Sequence, residues 1–204
     1  DKHLSESSYS FDKLEQSPLG SSRFISEKPI QNYKSYQITK TGISPRKVPG
    51  QGVIVRANSY EHNDFGYTVE SPDWIIKMND KRIRKQEELG KEIKKLNPLS
   101  IFGKGNNLIV SWGSTKGAII DAMSKLKNFK FLQISYLQPF PKKEVLREIK
   151  KSKKVILVEN NATGLLGDII AEQTGFIIKN KILKYDARPF TAEYLIHEIR
   201  FPKH

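Results

Sequence analysis

Val155-Ile-Leu-Val-Glu-Asn-Asn-Ala-Thr-Gly164 is the stretch that decides the fold of this chain. It opens with four apolar residues, three of them β-branched, as a strand buried on both faces of a parallel sheet requires. Polar residues follow at the carboxyl end of that strand, and an amphipathic run to Gly175 then predicts a helix. Ligands of open α/β sheets bind at this edge. We therefore expect Asn160, Asn161 and Thr163 to contact a ligand, a neighbouring domain or their own turn, with an interdomain contact favoured.

The same alternation of strands and helices continues on both sides of this stretch. Hydrophobic periodicity predicts strands at 107–112, 129–135 and 154–159, a last strand near 176–183, and helices at 115–126, 142–150 and 165–174. Strands separated by helices of about ten residues imply right-handed crossovers. The predicted fold class is therefore α/β, with three layers and a largely parallel sheet, preceded by an extended connector.

The first half of the chain has a different character. It is rich in Ser, Pro, Gly and Tyr, and helical periodicity begins only near Asp80. We expect this half to lack a hydrophobic core of its own. The sequence thus predicts two parts, residues 1–97 and residues 98–204.

Composition excludes several classes of site. The 204 residues contain no cysteine, so a disulfide, a thiolate nucleophile and a cysteine-ligated iron–sulfur cluster are all excluded from this chain. Three of the four histidines lie near the ends of the chain, and we predict no metal site. No apolar run approaches the ~20 residues of a membrane span. The start at Asp1, with neither a signal-peptide core nor an initiator Met, suggests a fragment that begins within a larger protein.

The net charge of +13 raises the question of a nucleic-acid partner. Two stretches, 77–95 and 142–154, carry +9 of this charge, and both keep apolar residues at helical spacing. Their lysines are therefore expected on solvated helix faces, and no nucleic-acid-binding motif is present. A surface that docks an acidic protein is the alternative use.

The segment after the first predicted strand contains a possible anion site. Ser114 is expected to cap the following helix by accepting a backbone N–H bond. Backbone N–H groups near Thr115 and Lys116, the helix dipole and the lysine charge would favour a phosphate or carboxylate. Ordinary helix capping is the favoured interpretation, since no Gly-rich phosphate-binding pattern is present.

Two polar loops carry further candidates. Arg46 lies between Pro45 and Pro49 in a stiff connector, where its guanidinium suits either a ligand carboxylate or an interdomain salt bridge, and the salt bridge is favoured. Glu61, His62 and Asp64 form a titratable cluster that would suit a lid over a cleft. A hydrogen-bonded connector is the favoured interpretation of that cluster.

Near the end of the chain, Asp186 and Arg188 are expected to pair across a turn. Thr191 then begins a final helix through a partly satisfied capping box. A structural role is favoured for this segment.

Several short motifs together resemble one enzyme family. In chain order they are Asp1-Lys-His-Leu-Ser-Glu-Ser, Ile43-Ser-Pro-Arg-Lys-Val-Pro-Gly50, Glu61-His62 with Gly66, Met78 with Lys81-Arg82, Trp112-Gly-Ser-Thr-Lys-Gly117, Leu137-Gln-Pro-Phe-Pro141, the opening stretch and Tyr185-Asp-Ala-Arg-Pro-Phe190. From Asp1 to about Ile199 the chain resembles the C-terminal portion of the alpha subunit of 2-oxoacid:ferredoxin oxidoreductases, of the 2-oxoglutarate or broad-specificity type. The family usually has Gly where this chain has Ala187, so we expect a slightly different turn there.

The resemblance implies a large thiamine-dependent enzyme of which this chain is one part. Such enzymes convert a 2-oxoacid and coenzyme A to acyl-CoA and CO₂ and pass electrons to ferredoxin. Thiamine diphosphate and Mg²⁺ lie between the pyrimidine-binding domain of the alpha subunit and a beta subunit, which carries the iron–sulfur cluster. The Gly-Asp-Gly pattern of the diphosphate site is absent here, so we expect this chain to bind none of these cofactors and to be inactive alone.

The same resemblance assigns the two halves and the partners. Residues 1–97 would be the end of the pyrimidine-binding domain, a connector and a linking helix, and residues 98–204 a transketolase C-terminal-like domain. The expected partners are the beta subunit and ferredoxin, the expected location is the cytoplasm, and the particular 2-oxoacid is not specified. Two alternatives remain: another thiamine enzyme of the transketolase or pyruvate dehydrogenase beta type, or a basic stand-alone binding module.

Overall fold

The computed structural model describes residues 25–26 and 28–202. Within these residues one compact unit runs to Glu92 and a second begins at Ile93. The motif that starts at Asp1 lies outside the described residues.

The first unit combines irregular segments with one long helix, α1 (Pro72–Ile93). The predicted start near Asp80 is wrong by eight residues. Pro72 occupies the first helical position, where a missing N–H costs no hydrogen bond, and Asp73 in the first turn complements the helix dipole. The Ser-Pro-Asp signal was therefore present in the sequence, although the first turn has little apolar periodicity.

The second unit contains five strands and four helices among its described residues. One-turn 3₁₀ helices precede β1 and α2, at Lys94–Leu96 and Gly113–Thr115. The elements are β1 (Leu99–Gly103), β2 (Asn107–Trp112), α2 (Lys116–Met123), β3 (Phe129–Ile134), α3 (Lys142–Lys150), β4 (Lys154–Glu159), α4 (Leu165–Thr174), β5 (Asn180–Leu183) and α5 (Ala192–Arg200).

The five strands form one sheet in the order β1-β3-β2-β4-β5. Strands β3, β2, β4 and β5 are parallel, and β1 pairs antiparallel with β3 at the edge. The sequence did not predict β1, because an edge strand with three half-buried and two exposed residues lacks the apolar run of the central strands.

Each face of the sheet is covered by two helices. On one face α3 and α4 pack over Leu108, Val110, Leu132 and Leu157, and on the other α2 and α5 pack over Ile109, Phe131, Ile156 and Val158. Successive residues of β2 and β4 thus enter opposite cores, as the pleat of a strand requires. The predicted three-layer α/β fold with a largely parallel sheet is confirmed.

Most predicted boundaries in this unit agree with the structure, and the exceptions lie at element ends. The bounds of α3, β4 and α4 are as predicted. Helix α2 is shorter, since residues 113–115 form the 3₁₀ turn, and β5 begins at Asn180 because residues 176–179 pair with no strand. No helix among the described residues is long and apolar enough to cross a bilayer.

Candidate functional site

The chain order places a topological switch point between β2 and β4. From β2 the chain crosses to β3 on one side and then returns to β4 on the other. In open α/β sheets such a switch point leaves a crevice at the carboxyl ends of the two strands. A pocket of about 300 Å³ lies there, lined by Trp112, Gly113, Ser114, Thr115, Glu159, Asn160 and Asn161.

A buried carboxylate organises this crevice. Glu159 is 1% exposed, and its Oε1 accepts the indole N–H of Trp112 at 3.1 Å and the amide of Asn161 at 2.8 Å. The backbone N–H of Leu166, in the first turn of α4, donates to both carboxylate oxygens at 3.1 and 3.0 Å. Glu159 therefore ties together β2, β4 and the start of α4, and its charge is stabilised by N–H donors.

The predicted candidates after β4 are engaged in local structure. Asn161 Oδ1 accepts from the backbone N–H groups of Thr163 and Gly164 at 3.2 and 2.6 Å, which makes an Asx turn. Asn160 donates to the carbonyl of Lys184, just beyond β5, at 2.6 Å. Of the three predicted alternatives, the structure shows a contact with its own turn for the side chain of Asn161. The side chain of Asn160 contacts the end of the neighbouring strand.

Two hydroxyl groups connect the other side of the crevice. Ser111 Oγ lies 2.5 Å from both Thr115 Oγ1 and the carbonyl of Val158, and Thr115 Oγ1 lies 2.9 Å from the carbonyl of Trp112. Two hydroxyl protons serve two of the three contacts at a time: each hydroxyl donates either to its own carbonyl, Val158 for Ser111 and Trp112 for Thr115, or to the other hydroxyl. Thr115 is therefore part of the frame of the crevice.

The predicted helix cap at Ser114 is wrong. Because the 3₁₀ turn precedes α2, Thr115 occupies the cap position, and no side chain makes a capping bond there. Ser114 lines the crevice. Lys116 donates its backbone N–H to Gly113 and holds its ammonium 5.2 Å from the ring centre of Phe102, so its charge serves a cation–π contact on β1.

Asp186 and Arg188 pair as expected. Lys184 donates to both oxygens of Asp186 at 2.5 and 2.6 Å, and Arg188 Nε donates at 2.7 Å. These bonds, from Lys184 first and then Arg188, hold the pKa of Asp186 well below its usual range. Ala187 has φ +63°. The alanine thus adopts the left-handed conformation that a glycine would favour, and a turn different from that of the family stays a prediction.

The side chains of Glu61, His62 and Asp64 have separate partners. Arg82 on α1 holds Glu61 through two bonds of 2.8 and 3.1 Å. His62 stacks on Tyr36 with ring centres 3.7 Å apart, and Asp64 pairs with Lys34 at 2.7 Å. The hydrogen bond from Arg82 lowers the pKa of Glu61. The loop is thus a hydrogen-bonded connector in this structure, with no bond among the three titratable side chains.

Arg46 lies in the first unit at a pocket of about 340 Å³. No carboxylate among the described residues pairs with its guanidinium. The pocket is lined by Tyr33, Ser35, Tyr36, Gly42, Ile43, Ser44, Arg46, Lys47, Val55, Arg56, Ala57, Lys81 and Lys85.

Sequence reasoning missed Glu159 as a site residue and missed the gathering of basic side chains around Arg46. Glu159 sits at the last position of a buried strand, where a charged residue signals a specific partner. Its partners Trp112 and Leu166 lie 47 and 7 residues away, so only the folded structure brings them together.

Neither a metal site nor a diphosphate site is formed by the described residues at the switch-point crevice. No group of three His, Cys, Asp or Glu side chains in the described part of the chain could hold a metal ion. The switch-point crevice presents the Glu159 carboxylate and no basic side chain, so a diphosphate would be repelled there.

Relatives of this chain share one description. No family model matches it. The chain is 34% identical over 196 residues to the "2-oxoacid:ferredoxin oxidoreductase 1, subunit alpha" of Sulfurisphaera tokodaii. The aligned residues cover 94% of this chain and 31% of that relative. It is 30% identical over 198 residues to the "2-oxoacid:ferredoxin oxidoreductase 2, subunit alpha" of Aeropyrum pernix, covering 93% and 31%. The chain thus spans about a third of the length of these relatives.

A solved structure agrees with the sequence relatives. The 2-oxoglutarate:ferredoxin oxidoreductase from Magnetococcus marinus, solved with 2-oxoglutarate, coenzyme A and succinyl-CoA bound, superposes with a TM-score of 0.66. The match is 28% identical and covers 83% of this chain and 30% of that one.

Proposed function

Because this chain belongs to the family of 2-oxoacid:ferredoxin oxidoreductase alpha subunits, we propose that it is the C-terminal part of such a subunit. The observation that carries the proposal is that nearly the whole chain aligns in sequence with such alpha subunits. Most of the chain also superposes on the enzyme from Magnetococcus marinus. The alternatives of a transketolase-type enzyme and of a stand-alone binding module are set aside on this ground.

The reaction of the whole enzyme follows from this assignment. A 2-oxoacid and coenzyme A give acyl-CoA and CO₂, and the two electrons released reduce two molecules of ferredoxin, with one proton released. Thiamine diphosphate, when bound, supplies the carbanion chemistry of decarboxylation, and Mg²⁺ and an iron–sulfur cluster complete the enzyme. We assign these groups to other parts of the alpha subunit and to the beta subunit, as the resemblance implies, and no cluster of His, Cys, Asp or Glu side chains in the described residues could hold the metal ions.

The two halves of the chain have different proposed roles. Residues 1–97 would provide the end of the pyrimidine-binding domain, a connector and a linking helix. Residues 98–204 would form a transketolase C-terminal-like domain. We propose that the crevice organised by Glu159 is structural and that Arg46 and the Glu61–Asp64 loop belong to the half nearer the chemistry. The proposed location is the cytoplasm.

The charge of the second unit supports ferredoxin as an acidic partner. Four loop segments meet at the amino-terminal edge of the parallel strands. Lys153 N–H donates to the carbonyl of Asn106 at 2.7 Å, and Asn106 N–H donates to Asn128 Oδ1 at 2.8 Å. Residues 176–179 line one pocket together with Lys150 and Lys153. We call this surface the amino edge. It consists of residues 104–106, 125–128, 150–154 and 175–179, which together contain eight lysines and no carboxylate.

An apolar pocket lies within the amino edge. It measures about 450 Å³ and includes Phe176 and Ile177, whose side chain is 70% exposed. Basic side chains around an apolar pocket suit an acidic protein that also offers an apolar contact, since charge steers the encounter and apolar burial adds affinity.

The test is reconstitution of the complete enzyme. The full-length parent subunit would be co-expressed with its beta subunit and assayed for coenzyme-A-dependent viologen reduction with pyruvate, 2-oxoglutarate and branched-chain 2-oxoacids. We expect turnover with at least one of them, with acyl-CoA as product. A complex that contains thiamine diphosphate and an intact cluster, yet turns over none of them, would overturn the proposal.

The role of Arg46 has its own variant in the same assay. If Arg46 binds the substrate carboxylate, Arg46→Lys should raise KM for the 2-oxoacid, because an ammonium cannot reproduce a bidentate pair. The variant Lys95→Gln, on an exposed lysine, is the matched control.

A further inference from the structure

Among the described residues, five basic side chains and no acidic one line one pocket of the first unit. They are Arg46, Lys47, Arg56, Lys81 and Lys85, around a space of about 340 Å³. No ion pair joins any of them to a carboxylate within the described part of the chain. We call this group the basic pocket.

Lys47 is the most telling member. It is only 6% exposed, although an ammonium side chain is seldom buried without a partner. Two other basic side chains of the same unit have carboxylate partners: Lys34 binds Asp64, and Arg82 binds Glu61. None of the described ion pairs includes Lys47.

Lys81 shows the electrostatic cost of this arrangement. Burial, and then the nearby charges of Lys85, Arg82 and Arg84, lower its pKa. Like charges held together in a partly desolvated space repel one another, and an anion placed among them would remove that repulsion.

The walls of the basic pocket are held by hydrogen bonds from the backbone of its basic residues, and among the cationic groups the Arg56 guanidinium also lies 4.3 Å from the ring centre of Tyr67. Tyr33 accepts the backbone N–H of Lys47 at 3.0 Å, and Ser35 accepts that of Arg56 at 3.0 Å. The turn at Gly42 packs directly on α1, because a Cβ there would come within 2.3 Å of the Lys81 carbonyl. The backbone is thus fixed around the pocket before any ligand arrives, which reduces the entropy cost of binding.

We propose that the basic pocket binds a small polyanion of the phosphate class. Five cationic side chains exceed what a monocarboxylate can neutralise, whereas a diphosphate carries several negative charges on closely spaced oxygens. None of the described residues that line the pocket has a carboxylate to help hold Mg²⁺, so the proposed ligand is a phosphate group bound directly by ammonium and guanidinium groups.

Two sources can supply this chemistry. One is the phosphate-bearing arm of coenzyme A, a substrate of the proposed reaction, and this assignment rests on the proposed function. The other is a free phosphate compound that would act as an effector. Both sources share the same binding groups, so the experiment must separate them.

The experiment uses the complete complex and the variant Lys81→Gln with Lys85→Gln, which removes two charges from α1. The control is Lys94→Gln with Lys95→Gln, which removes two exposed charges outside the pocket. Calorimetry with pyrophosphate as the probe should give binding that weakens at least about tenfold in the pocket variant, since two charge-assisted contacts are lost, and that is unchanged in the control.

Kinetics with saturating 2-oxoacid and viologen then distinguish the sources. If the pocket holds coenzyme A, the pocket variant raises KM for coenzyme A and leaves kcat near the wild-type value. If pyrophosphate binding is weakened while KM for coenzyme A is unchanged, the ligand is a free phosphate compound.

Other outcomes would overturn the proposal. They are absence of pyrophosphate binding by the wild-type complex, equal binding by the pocket variant, or carbodiimide cross-linking of Lys81 to a carboxylate of the same complex, which would identify the anion as protein. Viologen reduction by the wild-type complex is measured independently, so a failure of the phosphate site cannot be confused with a failure of the proposed reaction.

Discussion

The indole N–H of Trp112 donates to Glu159 Oε1 at 3.1 Å and so joins the ends of β2 and β4 across the switch point of the sheet. Trp112 is 41% exposed and Glu159 is 1% exposed. The carboxylate is thus held inside the protein by a residue that lies largely at the surface, and the bond can be removed with little loss of packing.

Glu159→Gln should lower the free energy of unfolding by about 2 kcal/mol. The glutamine amide keeps one acceptor oxygen but places its NH₂ group against the remaining N–H donors. It also lacks the negative charge of the Glu159 carboxylate, which strengthens these hydrogen bonds. Trp112→Phe removes only the indole donor and should cost about 1 kcal/mol. Urea unfolding of both single variants and the double variant measures the coupling between the two residues. A coupling energy near zero would contradict the role assigned to this bond.

Glu148 on α3 should make stability depend on pH in the acid range. Burial raises its pKa, but bonds from Lys130 at 3.1 Å and Arg147 at 3.3 Å, with the charge of Lys151, outweigh burial, and the net effect lowers the pKa. A carboxyl whose folded-state pKa is lowered stabilises the protein above its unfolded pKa, and this stabilisation is lost as the pH falls through the folded value.

The variant Glu148→Gln tests this assignment. At neutral pH it should cost about 3 kcal/mol, because it leaves the Lys130 ammonium, whose side chain is only 11% exposed, without its counter-charge. The difference between wild type and variant should shrink as the pH falls below about 4. Glu144→Gln on the same helix, with no ion pair to a described residue, should change stability by less than about 0.5 kcal/mol. A wild-type-to-variant difference that is independent of pH would contradict the prediction.

Ala187→Gly should stabilise the protein. Ala187 holds φ +63°, a conformation that costs an L-residue roughly 1–2 kcal/mol and that glycine adopts freely. Part of this gain is offset by the greater freedom of glycine in the unfolded chain, so we expect a net increase of about 0.5–1 kcal/mol. Ala171→Gly, within α4, should instead lower stability by about 1 kcal/mol. Chemical denaturation of the two variants should therefore give shifts of opposite sign, and a loss at both positions would refute the argument.

The sequence predicted the parts of the fold that depend on local patterns. Strand β4 and helices α3 and α4 have apolar residues at clear periods, and their bounds could be read directly. Strand β1 was missed because half of an edge strand faces solvent and its partner β3 lies some thirty residues further along the chain. The start of α1 was missed because its first turn is signalled by Pro72 and Asp73 and not by apolar spacing.

The candidate sites were less accessible to sequence reasoning than the fold. Asn160, Asn161 and Thr163 are predicted candidates because they follow a buried strand, but the group that organises that edge is Glu159, whose partners lie on β2, in the turn after β4 and on α4. Arg46 is a predicted candidate because it lies in a stiff connector. Two of the three lysines that share its pocket, Lys81 and Lys85, lie on α1, so their convergence with Arg46 depends on the packing of Gly42 against that helix.

Charge reversal at the amino edge should raise KM for ferredoxin and leave the rate of viologen reduction unchanged. Lys153 and Lys179 are exposed, and neither pairs with a carboxylate of the described residues. In the complete complex, the variant Lys153→Glu with Lys179→Glu should raise KM for ferredoxin by about tenfold or more, because it converts attraction for an acidic protein into repulsion. Viologen is a small acceptor that needs no docking surface, so the rate of viologen reduction should stay at the wild-type value.

Lys94→Glu with Lys95→Glu makes the same change in charge at exposed positions outside the amino edge and should leave KM for ferredoxin nearly unchanged. The wild-type KM should rise with salt, and the amino-edge variant should show a weaker dependence, since fewer charge pairs remain to be screened. Equal effects of the two double variants would show that only net charge matters and would contradict a defined docking surface. Failure of the amino-edge variant to assemble with the beta subunit would instead show that these lysines lie in an internal interface.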